Sequence, residues 1–271
     1  MCSNCFMPLS SQQSSQTQLS YQQQAQQLLG KVQPIQSPEL RAVTLATLNG
    51  SATINGISGF SSTPLDSEII TAVREWSDLV MVTSATVKAE SYGAVSLSSE
   101  AQLERKTRGQ DPLPTLGIVS HSLDFPDDSI VFEPSTRDFL LVITENVDKH
   151  DAQRAHRYRQ LLDAGVSILS VSDLSTPSGL QSALTSLRKS GFARISCEGG
   201  PSLYRKLLEA QLIDILHLTI APVIALPVET PSFGANPVTD TDLYHFAVEE
   251  TVTATDGSVF LRLKTNAHSE S

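Results

Sequence analysis

The chain has few of the residues that define several common protein classes. Its 271 residues include three cysteines, too few for a disulfide framework. No apolar run approaches the roughly 20 residues that a membrane-spanning helix needs. Basic residues number 19 against 29 acidic ones, and the resulting net charge of −10 argues against a general nucleic-acid-binding surface. An anionic small ligand remains possible, because it needs only a local pocket. The apolar content of 40% and the aromatic content of 6% are typical of a soluble α/β protein.

Two of the cysteines, Cys2 and Cys5, form a Cys-x-x-Cys pair near the N-terminus. A metal site would need a second cysteine pair or a suitably spaced histidine pair, which the sequence lacks, so we interpret the two as ordinary thiols and expect no metal. No charged segment followed by an apolar segment opens the chain, and the cytoplasm is therefore the expected compartment.

Residues 1–36 are rich in Gln and Ser and carry few charges. Such a composition buries too little apolar surface to offset its ordering entropy, which predicts a disordered or loosely docked tail outside catalysis. A short helix over residues 21–29 could still lie on the domain. We expect deletion of this tail to leave the melting temperature nearly unchanged, with residues 37–271 forming one domain.

Apolar runs alternate with segments of helical periodicity through most of that domain. Strands are predicted at residues 41–48, 79–82, 116–119, 139–144, 166–171, 192–195 and 212–224, with helices at 66–76, 83–90, 100–108, 151–162 and 179–189 and from residue 201. Two further strands, 243–252 and 258–264, adjoin at Asp256-Gly257. This order predicts a mixed, mostly parallel sheet flanked by helices, with an antiparallel C-terminal hairpin. Ligands on such sheets bind at the carboxyl ends of strands.

A glycine pair connects the predicted strand at 192–195 to the following helix. Gly199 and Gly200 turn the chain, and Pro201 occupies the first helical position. Without side chains at the turn, a phosphate can approach the free N–H groups and the positive end of the helix dipole. The alternative is a tight loop without a ligand. There is no Gly-x-Gly-x-x-Gly fingerprint.

Several blocks, taken together, resemble a known family. The block Cys197-Glu198-Gly199-Gly200-Pro201-Ser202-Leu203, a leucine-rich helix, Asp214 and Ala221-Pro222-Val223 follow in order. This order resembles the reductase domain of the riboflavin-biosynthesis deaminase–reductase family, over residues 41–264. The resemblance implies a dihydrofolate-reductase-like three-layer fold, NADPH as cofactor and a homodimer. The deaminase pattern, His-x-Glu followed by Pro-Cys-x-x-Cys, does not occur.

The resemblance also implies the cofactor-binding residues. Gly199 and Gly200 would hold the pyrophosphate, and Thr86 would lie near the nicotinamide, although a threonine after a strand also serves to cap a helix. Phe60 and Ser120 complete this predicted set.

The remaining predicted site residues bind substrate or move a proton. Ser58, Arg74 and Glu198 match substrate-binding positions of the family. Arg74 could instead form a surface ion pair, and Glu198 could cap the following helix. Glu90, four residues after Thr86, or a bound water would relay the proton. Asn49 stands at a predicted catalytic position where the family usually has aspartate.

Other departures from the family pattern affect the substrate more than the fold. Phe60 replaces a common tryptophan, Glu90-Ser91-Tyr92-Gly93 replaces Asp-Asp-Pro, and the paired glycines after Ala221-Pro222-Val223 are missing. The favoured reaction is NADPH-dependent reduction of 5-amino-6-(5-phosphoribosylamino)uracil. The alternatives are a pterin reductase of the dihydrofolate type and a non-catalytic NADPH-binding homologue. No nucleic-acid or membrane partner is expected.

Overall fold

Strands and helices alternate along most of the chain in the computed structural model, which describes residues 19–59, 63–90, 92–148, 150–234 and 243–266. The strands are β1 (Glu39–Thr47), β2 (Leu79–Thr83), β3 (Thr115–Val119), β4 (Leu140–Glu145), β5 (Ser167–Val171), β6 (Arg194–Cys197), β7 (Ile215–Ala221), β8 (Phe246–Thr253) and β9 (Val259–Thr265). The helices are α1 (Tyr21–Leu29), α2 (Pro64–Trp76), α3 (Ser84–Ala89), α4 (Ser99–Thr107), α5 (Ala152–Asp163), α6 (Pro177–Lys189) and α7 (Pro201–Glu209). Two short 3₁₀ helices, Ile130–Phe132 and Pro134–Phe139, precede β4.

The strands form one sheet in the order β5-β4-β3-β2-β6-β1-β7-β9-β8. All neighbours from β5 to β7 pair in parallel, whereas β9 pairs antiparallel with both β7 and β8. The predicted mostly parallel sheet with a C-terminal antiparallel hairpin is therefore confirmed. Because β6 lies between β2 and β1, the loop after β6 enters the centre of the carboxyl edge, where bound ligands are expected.

Helices cover both faces of this sheet, which gives the three layers. In β2, Leu79 and Met81 pack into the cluster that contains α6 and α7, and Val80 and Val82 pack into the cluster on the other face. Because both of its faces are buried, β2 has a continuous apolar sequence, which is typical of strands in parallel sheets. A third cluster joins α1 and α2 to the sheet.

Helix α1 is the short helix considered at residues 21–29, and it is closely packed on the domain rather than loosely docked. Its residues Ala25 and Leu28 are each 1% exposed, and they pack into the cluster with α2. The carbonyl of Leu29 accepts a hydrogen bond of 2.7 Å from Arg41 Nη1. The segment is rich in Gln, so its mean apolar content is low although its few apolar residues lie on one face of the helix. A deletion that removes α1 is now expected to lower the melting temperature.

Several strand boundaries differ from the sequence-based expectation, among them those of β7 and β6. Strand β7 begins at Ile215 and ends at Ala221, because Leu212 N bonds to Leu207 O at the end of α7 and Pro222 has no N–H for the ladder. Strand β6 begins at Arg194 and extends to Cys197. Among the described residues, no helix is long and apolar enough to cross a membrane.

Candidate active site

A cavity of about 530 Å³ opens where β2 and β6 end, a volume within the usual range for small-molecule sites. Parts of β1, α2, α3, the start of α7 and the loop before α2 line it. The structure brings together at this cavity most of the predicted site residues: Ser58, Arg74, Thr86, Glu90, Glu198, Gly199 and Gly200.

The glycine turn, Gly199-Gly200, leads directly into helix α7. Thr83 N donates to Gly199 O at 3.1 Å, which joins the turn to the end of β2. Gly199 has a φ of +134°, in the left-handed region that favours glycine. Gly200 is the N-cap of α7 and makes no side-chain cap hydrogen bond, with Pro201 following at the start of the helix. The positive end of the α7 dipole therefore faces the cavity without a side-chain acceptor of its own.

Two threonine hydroxyls lie against this turn. A Cβ added at Gly200 would lie 3.0 Å from Thr86 Oγ1 and 3.1 Å from Thr83 Oγ1, so glycine leaves space that any other residue would fill. Thr83 Oγ1 accepts from Thr86 N at 3.3 Å and caps α3. The capping role considered for Thr86 thus belongs to Thr83. The hydroxyl of Thr86 lies 3.0 Å from that of Thr83, and both residues line the cavity.

A partly buried charge cluster forms the part of the cavity wall between α2 and β6. Arg74 binds Glu198 through two hydrogen bonds, Nε to Oε1 at 2.8 Å and Nη2 to Oε2 at 2.6 Å. The Tyr92 hydroxyl donates to Glu198 Oε2 at 2.5 Å and accepts from Arg74 Nη2 at 2.7 Å. The cluster is partly buried, with the Arg74 and Glu198 side chains 25% and 7% exposed.

Burial and charge act in opposite directions within this cluster. Burial alone would lower the pKa of Arg74, but the hydrogen bonds and charge of Glu198 outweigh it and raise that pKa. Burial, with the Glu198 charge second, raises the pKa of Tyr92, so the phenol stays protonated. Arg74 is thus at the predicted position, but two of its nitrogens are already bound by protein groups.

Two further carboxylates line the cavity. Glu90 follows α3 and accepts a hydrogen bond from Ser58 Oγ at 2.5 Å, which brings a predicted proton-relay residue and a predicted substrate residue together. Asp66, in the first turn of α2, is 8% exposed and accepts from Thr219 Oγ1 at 2.9 Å. Burial raises the pKa of Asp66, and the Thr219 hydrogen bond lowers it in part.

Three predicted residues do not join this group. Asn49 is bound to the loop after β7, with Nδ2 donating to Ala225 O at 2.6 Å and Oδ1 accepting from Ala225 N at 3.1 Å. Ser120 is buried beyond β3, where its hydroxyl accepts from Leu123 N at 3.0 Å. Neither is among the residues that line the cavity. Phe60 lies outside the described residues.

Sequence reasoning missed Asp66 and Tyr92. The sequence indicates Asp66 only as the start of a helix, although its spacing of four residues from Ile70 and eight from Arg74 places all three on one helix face. Tyr92 belongs to the segment that replaces Asp-Asp-Pro. Its contact with Glu198 joins residues 106 apart in sequence, and no local pattern signals it.

The groups at the glycine turn fit the pyrophosphate of a dinucleotide. An anion at a helix N-terminus requires open space, free N–H groups and nearby hydrogen-bond donors. The turn provides them through the space that a Cβ would fill at Gly200, the uncapped start of α7 and two adjacent hydroxyls.

Cys197, just before the turn, is fully buried, and burial raises the pKa of its thiol to about 12. The thiol therefore stays neutral and is not a nucleophile.

The fold and this cavity define a dihydrofolate-reductase-like α/β protein. The RibD C-terminal domain family matches residues 38–226. A pyrimidine reductase-like protein from Corynebacterium diphtheriae is similar at 33% identity over 92% of this chain and 100% of that chain, with a TM-score of 0.82. The chain belongs to the RibD C-terminal domain family.

More distant structures share the fold. Acinetobacter baumannii RibD matches at 18% identity over 86% of this chain and 59% of its own, with a TM-score of 0.64. The deaminase/5-amino-6-(5-phosphoribosylamino)uracil reductase of Thermotoga maritima matches at 16% identity over 85% and 57%, with a TM-score of 0.60. A search of curated proteins gave no significant match.

Proposed function

We propose that this chain is a cytoplasmic NADPH-dependent reductase that acts on a pyrimidine ribosylamine. The observation that carries the proposal is the glycine turn at the uncapped start of α7, in the wall of a cavity that also contains Glu90 and the Arg74–Glu198–Tyr92 cluster. Family membership supports the reductase class, because the similar Corynebacterium protein is described as pyrimidine reductase-like.

The turn and the two threonines would bind and orient the cofactor. The N–H groups at the start of α7 and the helix dipole would hold the pyrophosphate, and the Thr86 hydroxyl would contact the adjoining part of the dinucleotide. When bound, NADPH supplies the hydride. The chain itself contributes the positions of the two reactants and the exclusion of water.

Glu90 is the proton-handling residue of this proposal. It lines the cavity, and Ser58 Oγ donates to its Oε1, which fixes the carboxyl group and leaves its other oxygen for a substrate or a water. Opening of the ribosyl ring breaks its C1′–O4′ bond and leaves an imine, with the amine proton passing to the ring oxygen. Reduction to the ribityl amine then adds a hydride to the imine carbon and a proton to its nitrogen. A carboxyl group reached directly or through one water can deliver that proton.

The test is NADPH oxidation by the purified full chain, followed by loss of absorbance. Oxidation is expected with 5-amino-6-(5-phosphoribosylamino)uracil and not with dihydrofolate, and Glu90→Gln should lower kcat by about 100-fold, in the range of general acid–base catalysis. Binding of NADPH without oxidation by either compound would identify a binding protein. Oxidation with dihydrofolate alone would identify a pterin reductase.

We also propose a homodimer that forms at the C-terminal hairpin. The sequence predicts an interface at residues 213–220 and the C-terminal hairpin. Strand β7, however, pairs on both sides, with β1 and β9, and cannot accept a further strand. Strand β8 is one edge of the sheet. Val248 in this strand is 61% exposed, and Leu243, three residues before the strand, is 73% exposed. Unpaired edges with apolar side chains favour association. Light scattering should give the mass of two chains, and a monomer mass at every concentration would contradict the proposal.

A further inference from the structure

One part of the cavity rim is built from two loops, the loop after β1 and the loop after β7. Thr53 and Gly56 in the first loop and Thr230 in the second line the cavity. Oγ1 of Thr53 donates to Oγ1 of Thr230 at 3.0 Å, which joins the two loops at the cavity wall. Glu229, the residue before Thr230, is exposed, and its side chain reaches across to the loop after β1.

The carboxylate of Glu229 occupies a pair of backbone N–H groups in that loop. Asn55 N donates to Oε1 at 2.9 Å, and Gly56 N donates to Oε2 at 3.1 Å. Asn55 and Gly56 have φ values of 53° and 74°, and they form a tight turn closed by the hydrogen bond from Ile57 N to Ile54 O. Successive backbone N–H groups of a turn can bind an anion. In this chain, the anion is the protein's own carboxylate.

The Glu229 carboxylate is ionised at neutral pH. The hydrogen bonds from Gly56 N and then Asn55 N lower its pKa below the ordinary value of a glutamate. Thr53 Oγ1 donates a further hydrogen bond to it at 3.2 Å. The turn N–H groups are therefore already used, and this part of the rim presents a negative charge to a ligand.

The charged side chains of the cavity wall also disfavour a phosphate. Among the described lining residues, Asp66, Glu90 and Glu198 are acidic, and Arg74 is the single basic residue. Nε and Nη2 of Arg74 already donate to Glu198 and Tyr92. In the proposed function, the positive start of α7 binds the pyrophosphate of the cofactor. A phosphate on the substrate would therefore face an excess of negative charge.

The two rim loops supply no cation of their own. The sequence contains no Lys or Arg between Arg41 and Arg74, and none between Lys206 and Arg262. Both loops lie entirely within these two stretches. Proteins hold phosphate groups with Arg, Lys or unoccupied backbone N–H groups, and here the N–H pair of the turn is filled by Glu229.

We propose that Glu229 determines substrate specificity by disfavouring a phosphate at the rim, and that the substrate of this chain is a ribosylamine without a 5′-phosphate. The inference deepens the proposed function and rests on it, because it concerns which pyrimidine ribosylamine the same site reduces. A phosphorylated ribosylamine is still reduced, but its phosphate stays in solvent and adds nothing to binding. The hydroxyl groups of an unphosphorylated ribose can donate to an acidic wall, whereas ionised phosphate oxygens only accept.

The test compares 5-amino-6-(5-phosphoribosylamino)uracil with the same compound after removal of its phosphate, with the full chain and NADPH. The measured quantity is the ratio of kcat/KM for the phosphorylated probe to kcat/KM for the unphosphorylated probe. For the wild type we expect a ratio of one or lower. A wild type that prefers the phosphorylated probe would overturn this inference and leave the proposed function standing. A wild type that oxidises no NADPH with either probe would overturn both.

Glu229→Lys tests the role of the residue. Its ammonium group would lie at the same part of the rim, and the N–H groups of Asn55 and Gly56 would become available to a phosphate. We expect the ratio to rise at least about tenfold, the size of one charge-assisted contact. A contact that only joins the two loops would affect both probes equally. A ratio that stays at its wild-type value would therefore contradict the assignment of Glu229.

Asp163→Lys is the matched control for charge. Asp163 is exposed and is the last residue of α5, shortly before β5 begins at the amino edge of the sheet, away from the cavity. The variant changes the net charge by the same amount, and a lysine suits the C-terminal end of a helix. The ratio should stay at its wild-type value. An equal rise for both variants would contradict a local effect of Glu229.

Should Glu229→Lys fold poorly, Glu229→Gln carries the same test. The amide keeps one oxygen as an acceptor for the turn and removes the negative charge. The ratio should then rise by a smaller factor than for a folded lysine variant, because no cation is added. An unchanged ratio for Glu229→Gln with the circular dichroism spectrum of the wild type would contradict the assignment.

Discussion

Replacing Gly200 with Asp is expected to weaken NADPH binding by at least about tenfold, or roughly 1.4 kcal/mol. The new carboxylate would lie at the N-cap of α7. It would accept hydrogen bonds from the N–H groups that the pyrophosphate needs, and its negative charge would repel that anion. Aspartate is a favourable N-cap residue, so helix α7 should still form. The measurement is a fluorescence titration with NADPH, with circular dichroism to confirm the fold.

Gly200→Ala is the control for crowding without charge. Its Cβ would press on the Thr83 and Thr86 hydroxyls at 3.1 and 3.0 Å, which must move by a few tenths of an ångström. Its effect on NADPH affinity should therefore be smaller than that of Gly200→Asp. Equal affinity for wild type and Gly200→Asp would mean that the turn is only a tight loop.

Replacing Arg74 with Ala is expected to destabilise the protein by about 3 kcal/mol, the low end of the range for breaking a buried ion pair. The change leaves the Glu198 carboxylate, 7% exposed, without its charged partner. For a chain of this size, this corresponds to a melting temperature lower by roughly 6–12 °C. Urea unfolding measures the effect directly.

Two comparisons test the origin of that loss. Arg74→Met combined with Glu198→Gln removes both charges and should be more stable than Arg74→Ala alone, since no unpaired charge remains buried. Arg108→Ala removes an exposed pair with Glu104, joined at 3.8 Å, and should cost less than about 1 kcal/mol. A loss for Arg74→Ala no larger than that for Arg108→Ala would contradict the buried pair.

The fold was predictable because its signals are local. The start of α7 at Pro201 follows from a glycine pair and a proline at the first helical position, and both act within a few residues. The parallel strands follow from short apolar runs such as Leu79–Thr83, which must be buried on both faces. The hairpin at the C-terminus follows from two adjoining strands around Asp256-Gly257.

The site was predictable only where one loop determines a residue's surroundings. The glycine turn and Thr86 belong to segments that directly follow strands β6 and β2, and they line the cavity. Asn49 also follows a strand, but its side-chain amide is hydrogen-bonded to Ala225, 176 residues later in the loop after β7. Its side chain is therefore held by that loop, and Asn49 is not among the residues that line the cavity. The contacts of Tyr92 and Asp66 likewise depend on how distant elements pack, which one sequence does not encode in any local pattern.

The most direct test of the account is deuterium transfer from cofactor to product. NADPH labelled with deuterium at the reactive carbon of the nicotinamide, in either stereochemical position, would be incubated with the full chain and 5-amino-6-(5-phosphoribosylamino)uracil. Mass spectrometry should show one deuterium on the reduced ribityl chain for one of the two labelled cofactors. A product without deuterium from either cofactor, or no product from a chain that binds NADPH, would contradict the proposed reductase.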